Sequence, residues 1–383
     1  MRIVLLVSSM HSGGAERVAA TLCNAWAARG DDVTLVATYS GRGECHYALA
    51  DGVRLVYLAD LVGKRRGRVL GYVSRLFALR RLLRERQPDV VVSFLSNVNN
   101  TAILATRGLG LTLVVCERTD PLASSDYSAL TRLPLRLLYP LADVVTVQTE
   151  SLADRLRAYL PGARRIEVVP NPVPDALLDV RPAEAPQPRP QPEAPSPRRR
   201  LVAIGRLSKE KQFDHLVEVY ASLASAYPDL DLWIWGEGPL RRELERQVAA
   251  AGLANRVFLP GRTGQPWEEI ARGQVLALTS AHEGFPNVML EAMAIGLPCV
   301  AYDCRSGPRE LSEDGKVAIL VPPNDKAALR EALVALLDDP ALRRRLGAAA
   351  AASVRRRYRL DAVVAQWDRI FDAARLGRAA ACA

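Results

Sequence analysis

The sequence predicts an α/β protein built from two doubly wound parallel-sheet domains facing across a cleft. Its length, a strand–helix alternation and one compositional break lead to that class. The chain has 383 residues, and at roughly 150 residues per domain this suggests two or three domains. Short apolar runs alternate with amphipathic stretches along both halves, the pattern of buried parallel strands joined by helical crossovers. From Arg181 to Arg200 seven of twenty residues are proline, and such a segment forms an extended spacer rather than a core. Domains are therefore expected over 1–178 and 201–352, with a linker over 179–200 and a helical segment over 353–376.

In the first half, Arg2–Ser8, Val33–Thr38, Val53–Leu58, Asp89–Phe94, Thr112–Cys116 and Val144–Val147 are short runs rich in Val, Leu and Ile, as strands buried on both faces require. Helices are expected at Ala15–Arg29, Val69–Arg86, Val98–Arg107 and Ser151–Leu160. In the second half the strands are Leu201–Ile204, Leu230–Trp235, Arg256–Leu259, Val275–Leu278, Cys299–Ala301 and Ala318–Val321. Helices follow at Gln212–Ala226, Pro239–Ala251, Val288–Ala294, Lys326–Leu337 and from Ala341 to Arg357. In the tail, Val363, Trp367, Ile370, Phe371 and Ala374 recur at helical spacing and mark one apolar face. The second domain already has its strands, so this C-terminal helix is expected to cross back and cover the first.

Hydrophobic residues make up 49% and charged residues 24% of the chain, a globular composition that excludes wholesale disorder. The formal net charge is +9, a bias towards anionic partners: nucleic acid, anionic lipid or phosphorylated small molecules. The apolar run after Arg2 is too short for a leader peptide. Arg136, Pro140 and Asp143 interrupt the longest other candidate, Leu133–Val147, so no spanning helix is expected. Six cysteines lie scattered without a CxxC pair, which suits reduced thiols. The expected location is the cytoplasm, with peripheral attachment to the cytoplasmic face of the membrane.

Ligands of doubly wound sheets bind beyond the carboxyl ends of the strands, and the sharpest motifs all fall there. After the first strand, His11-Ser12-Gly13-Gly14-Ala15-Glu16 runs into a helix. Paired glycines admit close approach to the backbone, and a helix start offers free N–H groups to an anion; many ordinary turns also carry two glycines. Gly205-Arg206-Leu207-Ser208-Lys209-Glu210-Lys211 follows the first strand of the second half. Two cations beside a helix start suit a diphosphate, and solvated surface charge is the plainer alternative. In His282-Glu283-Gly284-Phe285-Pro286-Asn287-Val288-Met289-Leu290-Glu291, Glu283 lies in a tight turn and Glu291 one helical turn into the next helix. Carboxylates so placed accept hydrogen bonds from vicinal hydroxyls, as sugars and ribose present them, and the backbone of Phe285–Asn287 could hold a phosphate. Ordinary helix-start and surface glutamates would leave the same pattern.

Two further stretches have less specific readings. Lys64–Arg86 carries nine basic residues against one acid, Glu85. Val69, Tyr72, Val73, Leu76 and Leu83 share a face, with Phe77 at its edge and Arg80 intruding. A basic amphipathic segment of this kind binds anionic membranes, and a core-packed helix with snorkelling arginines shows the same pattern. Asp229-Leu230-Asp231 is formally Asp-x-Asp, but it opens a strand after Pro228, where polar turn residues are ordinary, and no metal role is expected.

Taken together, the Glu283/Glu291 pair, Gly205-Arg206-Leu207 with Lys211, Gly236-Glu237-Gly238-Pro239 and the Gly13-Gly14 loop resemble the family-4 retaining glycosyltransferases of the GT-B fold. The resemblance covers nearly the whole chain outside the linker and implies Rossmann-like domains, the second binding a nucleotide sugar. It implies that Arg206 and Lys211 grip the donor diphosphate and Glu291 holds the ribose. Glu283 would contact the donor sugar, with Phe285, Pro286 and Asn287 beside the phosphate; Gly205 and Gly236 belong to the same site, and Gly13 and Gly14 would close from the first domain. Catalytic roles are expected for Glu283, Arg206 and Lys211. Asn171 matches an interdomain Pro-Asn turn, although Pro172 stands where glycine is commoner. Ser306-Gly307-Pro308-Arg309-Glu310 and Glu117-Arg118-Thr119-Asp120 resemble the versions in bacterial transferases of lipid-linked and surface glycans. The second of these replaces a common histidine, so Glu117, Arg118 and Asn171 are the acceptor-side candidates.

The expected activity is retaining transfer of a hexose or N-acetylhexosamine from a UDP-sugar to a hydroxyl of a growing, lipid-linked glycan. It needs no cofactor and no metal beyond the nucleotide-sugar cosubstrate, and an anionic membrane surface is the expected partner of 64–86. Epimerisation of a sugar nucleotide on the same scaffold is an enzymic alternative. Nucleic-acid binding is another, disfavoured by the absence of a helix-turn-helix or zinc pattern and by an aromatic content of only 6%.

Overall fold

A computed structural model describes residues 1–11, 13–40, 43, 45–62, 68–122, 129–182 and 198–382. The chain forms two compact units, Met1–Pro172 with Leu360–Ala383, and Val173–Arg359.

The first unit is a seven-stranded parallel sheet of β1 (Arg2–Val7), β2 (Asp32–Ala37), β3 (Val53–Tyr57), β4 (Val90–Phe94), β5 (Thr112–Cys116), β6 (Val144–Val147) and β7 (Ile166–Val168), in the order β3-β2-β1-β4-β5-β6-β7. Successive side chains of a strand point to opposite faces, and β1 shows the consequence. Ile3, Leu5 and Val7 enter one core with helix Gly14–Ala28, while Val4 and Leu6 enter the other with helices Arg68–Arg86 and Ser96–Thr106. Both faces are covered, so β1 is apolar and buried from Ile3 to Val7.

The C-terminal helix, Leu360–Cys382, belongs to the first unit, as its apolar face implied. Val363, Trp367, Ile370, Phe371 and Ala374 are buried in the core that holds Ile3, Leu5 and Val7. The Trp367 ring meets Trp26 edge-on at 6.2 Å between centroids, and Phe371 lies 5.6 Å from Trp26. Arg29 and Asp368 pair at 2.6 Å beside this contact.

The second unit is a six-stranded parallel sheet of β8 (Arg199–Ile204), β9 (Leu230–Trp235), β10 (Val257–Gly261), β11 (Val275–Leu278), β12 (Cys299–Tyr302) and β13 (Ile319–Val321), in the order β10-β9-β8-β11-β12-β13. Again the faces alternate: Leu201 and Ala203 face one core, Val202 the other.

Several details differ from expectation. Strand β7 was not anticipated, because three residues flanked by Arg165 and carrying Glu167 give no periodic signal. Helix Ala129–Leu138 contains Pro134, which obscured it. The second unit begins at Val173 rather than beyond 178, because Leu177 and Leu178 pack with Met289 and Leu290. It likewise keeps Val354 and Tyr358, and the Val173 N–H donates to the Tyr358 carbonyl at 2.8 Å. The expected linker over 179–200 lies largely outside the described residues.

Helix Arg68–Arg86 also turns differently from the expected face. Leu79, Leu82 and Leu83 are its buried residues, with Leu76 packed beside them, whereas Val73 and Phe77 are exposed. Lys64, Arg65 and Arg66 lie outside the described residues, as does the Arg68 side chain. Among the described residues no helix is long and apolar enough to cross a membrane.

Candidate functional site

In the second unit the strand order reverses between β8 and β11, so the crevice for a ligand opens at their carboxyl ends. Beyond β8 the chain turns through Gly205–Ser208 into a 3₁₀ turn, Lys209–Lys211. Beyond β9 it runs directly underneath. The Gly205 N–H donates to the Trp235 carbonyl at 2.9 Å, and the Leu207 N–H to the Glu237 carbonyl at 3.0 Å. Gly236 has φ +146°, and a Cβ there would stand 1.8 Å from the Gly205 carbonyl oxygen. Backbone meets backbone at that point, so only glycine fits.

The 3₁₀ turn is tied to the loop after β11. The Ala281 N–H donates to the Glu210 carbonyl and the Thr279 hydroxyl to the Lys211 carbonyl, both at 2.8 Å. These ties aim the Lys211 side chain at Glu283, with Nζ 2.5 Å from Oε1. The Ser280 hydroxyl donates to the same oxygen at 2.6 Å. Glu283 is one-tenth exposed and Lys211 about a quarter, so the pair sits at the surface of the crevice rather than in the core. Arg206, on the same turn, is exposed.

After Glu283 the chain is held by a second loop. The Ser306 hydroxyl donates to the Gly284 carbonyl at 3.0 Å. Gly307, at φ +96°, lies so close to Pro286 that a Cβ would stand 2.4 Å from its Cδ. Phe285 is buried edge-on against Tyr358, with centroids 5.8 Å apart. Helix Asn287–Ile295 starts from Pro286, and Glu291, one turn in, is buried. The turn residues Lys211 and Glu283 are thus brought into contact, Arg206 shares the turn, and Gly205 and Gly236 form its floor. Thr279 and Ser280, which orient the pair, were not singled out, because a lone hydroxyl after a strand leaves no pattern; Ser306, which holds the loop, opens the Ser306–Glu310 motif named above.

In the first unit the order reverses between β1 and β4. Gly13 precedes helix Gly14–Ala28, and its carbonyl accepts from the Tyr47 hydroxyl at 2.9 Å. Glu16 folds back over the helix start, so a Cβ on Gly13 would stand 2.1 Å from Glu16 Oε2. The Ser8 and Ser9 hydroxyls approach Glu16 Oε1 at 3.4 and 3.3 Å.

Glu117 is placed differently from the acceptor-side expectation. Its side chain is fully buried beyond β5 and accepts from Ser96 Oγ at 2.8 Å, from Asn99 Nδ2 at 3.3 Å and from the Tyr139 hydroxyl. Ser93 in turn donates to Asn99 Oδ1 at 2.6 Å. Burial pushes the Glu117 carboxyl up to about 7, against the lowering effect of those donors. A carboxylate enclosed in this way ties helix Ser96–Thr106 and Tyr139 to the end of β5. Arg118 is buried too, stacked 3.6 Å from the Phe94 ring centroid and donating to Asn171 Oδ1 at 2.5 Å; burial lowers its guanidinium to about 10. Asn171 is buried with it. Glu117 and Arg118 adjoin in sequence yet join different networks.

The Asp-x-Asp stretch serves its own sheet. Asp231 is buried and held by Arg198 at 2.8 Å and Arg256 at 3.3 Å, and Asp229 pairs with Arg199 at 2.7 Å.

Two family models match the chain: "Glycosyl transferase 4-like domain" over residues 13–172 and "Glycosyl transferases group 1" over 185–353. An exopolysaccharide phosphotransferase of Streptomyces coelicolor is 35% identical over 62% of the chain, which spans about a quarter (24%) of that relative's length. The N-acetylgalactosamine-N,N'-diacetylbacillosaminyl-diphospho-undecaprenol 4-alpha-N-acetylgalactosaminyltransferase of Campylobacter jejuni is 26% identical, over 90% of this chain and 92% of its own. Among solved structures, HepE of Anabaena in complex with UDP and glucose superposes with a TM-score of 0.78 at 20% identity, over 97% of this chain and 99% of that one.

Proposed function

The chain belongs to the GT-B glycosyltransferases that join a glycosyl transferase 4-like domain to a group 1 domain, and on that premise we propose that it moves a hexose or N-acetylhexosamine from a UDP-sugar to a hydroxyl of a growing, lipid-linked bacterial glycan with retention. The observation that carries the proposal is the meeting of Lys211 and Glu283 at the reversal between β8 and β11. Transfer breaks the bond between the anomeric carbon and the diphosphate oxygen and forms one to the acceptor oxygen, whose proton leaves. Negative charge grows on the departing diphosphate, where Arg206 and Lys211 meet it. Lys211 is already oriented by Glu283 and by the Thr279 tie, so little reorganisation accompanies the reaction. The bonds to Glu283 from Lys211 and Ser280 both end on Oε1, and Oε2 is the oxygen that would accept from a donor-sugar hydroxyl. Glu291 would hold the ribose, and the backbone of Phe285–Asn287 would face the phosphate.

The protein's part is positioning and charge stabilisation, with two cations in place of a divalent ion and no cofactor. The Campylobacter jejuni relative, whose name specifies an undecaprenol-diphosphate acceptor, supports the choice of acceptor, and HepE with its bound UDP supports the choice of donor. A lipid-linked acceptor would bring the enzyme to an anionic membrane surface, with 64–86 as the docking segment. A thermal-shift panel of nucleotide sugars, followed by transfer assays in excess EDTA, tests the reading. A UDP-sugar at 100 times its Kd should add about 2.7 kcal/mol to stability, and transfer should persist under chelation. No shift with any nucleotide sugar, or activity lost to EDTA and restored by Mg²⁺, would sink it.

A further inference from the structure

The first unit holds a carboxylate where its own strand order reverses. Ser8 and Ser9 follow β1 directly, at the reversal between β1 and β4, and their hydroxyls turn to Glu16 Oε1 at 3.4 and 3.3 Å. Both bonds are long. Among the described residues Oε2 takes no hydrogen bond, and no lysine or arginine pairs with Glu16. Yet Glu16 is only 9% exposed. A carboxylate offers about four acceptor sites, so this one is enclosed with most of them unfilled. Burying a charge in that state is costly, and a ligand that donates to it would remove the cost.

The surrounding chain keeps the carboxylate in place. The Tyr39 and Ser40 N–H groups donate to the Ser8 carbonyl at 2.9 and 3.3 Å, and the His46 N–H to the Met10 carbonyl at 3.0 Å. The Tyr47 hydroxyl donates to the Gly13 carbonyl at 2.9 Å. Gly13 completes the seat. Its backbone is extended, at φ −146° and ψ 157°, a conformation open to any residue, so its lack of a side chain answers a different need. A Cβ would stand 2.1 Å from Glu16 Oε2, and the glycine thus admits the carboxylate. Negative charge then lies over the start of helix Gly14–Ala28, where free N–H groups would otherwise favour an anion. A phosphate is repelled there, whereas a hydroxyl can donate to Oε2.

We propose that Glu16 is a specificity residue of the first unit: Oε2 accepts a hydrogen bond from a hydroxyl of a neutral sugar in the acceptor glycan, and its charge bars phosphate and uronate groups from that place. The inference rests on the proposed glycosyl transfer and gives the acceptor a recognition residue on this chain.

The test is an NMR titration of the full chain with the methyl glycosides of glucose, galactose, N-acetylglucosamine and N-acetylgalactosamine, and with methyl glucuronide. It compares wild type with Glu16→Gln, Gly13→Ala and the double variant. Wild type should bind at least one neutral glycoside, and the glucuronide more weakly. Glu16→Gln keeps the shape of the side chain and should weaken neutral binding about fivefold or more, while narrowing the gap to the glucuronide. Gly13→Ala should fold, because the clash falls on the movable end of Glu16, and should weaken binding by a similar factor. The double variant should lose little more than the larger single effect, since both changes disturb one carboxylate. Inorganic phosphate should raise the melting temperature of Glu16→Gln more than that of wild type, and the response to a UDP-sugar should be the same in both. If Glu16→Gln folds poorly, Gly13→Ala carries the comparison.

No neutral glycoside bound by wild type, equal binding by wild type and both single variants, or additive losses in the double variant would each overturn the proposal. A UDP-sugar response lowered in Glu16→Gln would also overturn it, by assigning the carboxylate to the donor. Glycoside binding that depends on Glu16, in a chain that responds to no nucleotide sugar, would overturn the transfer reading and leave the recognition residue standing.

Discussion

At the tip of the loop after β11, one carboxylate oxygen of Glu283 takes bonds from Lys211 and Ser280, and Lys211 is thereby aimed before any ligand arrives. Arg206 has no such partner among the described hydrogen bonds and is exposed, so its contribution is the one most directly separable by mutation. Arg206→Ala is expected to depress kcat through lost stabilisation of the diphosphate, and Glu291→Ala to raise KM for the donor. A charge-assisted contact is worth roughly 1.5–3 kcal/mol, so each change should cost about tenfold or more in kcat/KM, measured on a substrate found in the nucleotide-sugar screen. Wild-type values for both would remove these residues from the site. Glu117 makes a different kind of prediction. Its folded carboxyl titrates near 7, above the ordinary 4.5, so the folded state binds its proton more tightly than the unfolded chain does. The stabilisation this gives is complete below about pH 4.5 and is lost as pH rises through 7, on the order of 3 kcal/mol in all. Glu117→Gln should therefore flatten the fall in melting temperature between pH 5 and pH 8, and an unchanged slope would assign that fall to other groups.

Among the elements, helix Leu360–Cys382 and helix Arg68–Arg86 show how far periodicity reaches. The first has one apolar face, and the first unit's core takes it up through Trp367 against Trp26, Phe94 and Phe371. Trp367→Ala should leave a cavity in that core and cost about 3–5 kcal/mol, seen as a lower urea midpoint for the first unit. A loss below about 1 kcal/mol would mean that the helix does not carry the core as described. The second helix has apolar residues on two sides, and its sequence alone does not say which side meets the sheet. The expected face mixed Leu76 and Leu83, which turn inwards, with Val73, which turns outwards. Helix Ala129–Leu138 was hidden by Pro134, and β7 by its brevity; both elements exist because neighbours already in place supply their partners.

Across the whole molecule, both sheets reverse their strand order next to the unit's first strand, and the sharp motifs fall beyond the carboxyl ends of strands, those at Gly13, Gly205–Lys211 and Glu283 following strands that flank a reversal. That placement was legible in the sequence, because strand–helix alternation needs only local periodicity, and because Gly205, Arg206, Lys211, Glu283 and Glu291 lie in turns and helix starts whose residue types reflect local backbone demands. The crossing of the tail helix was legible for a related reason: an apolar face with no strand left to cover in its own domain must find one elsewhere. Tertiary structure alone decided the rest. Lys211 meets Glu283 across 72 residues of chain only because β8 and β11 are neighbours. Glu117 is enclosed by Ser96 and Asn99 of one helix and by Tyr139 from a separate turn, and no spacing in the sequence announces that enclosure. Periodicity is a property of adjacent residues, whereas burial and pairing depend on which strands lie side by side.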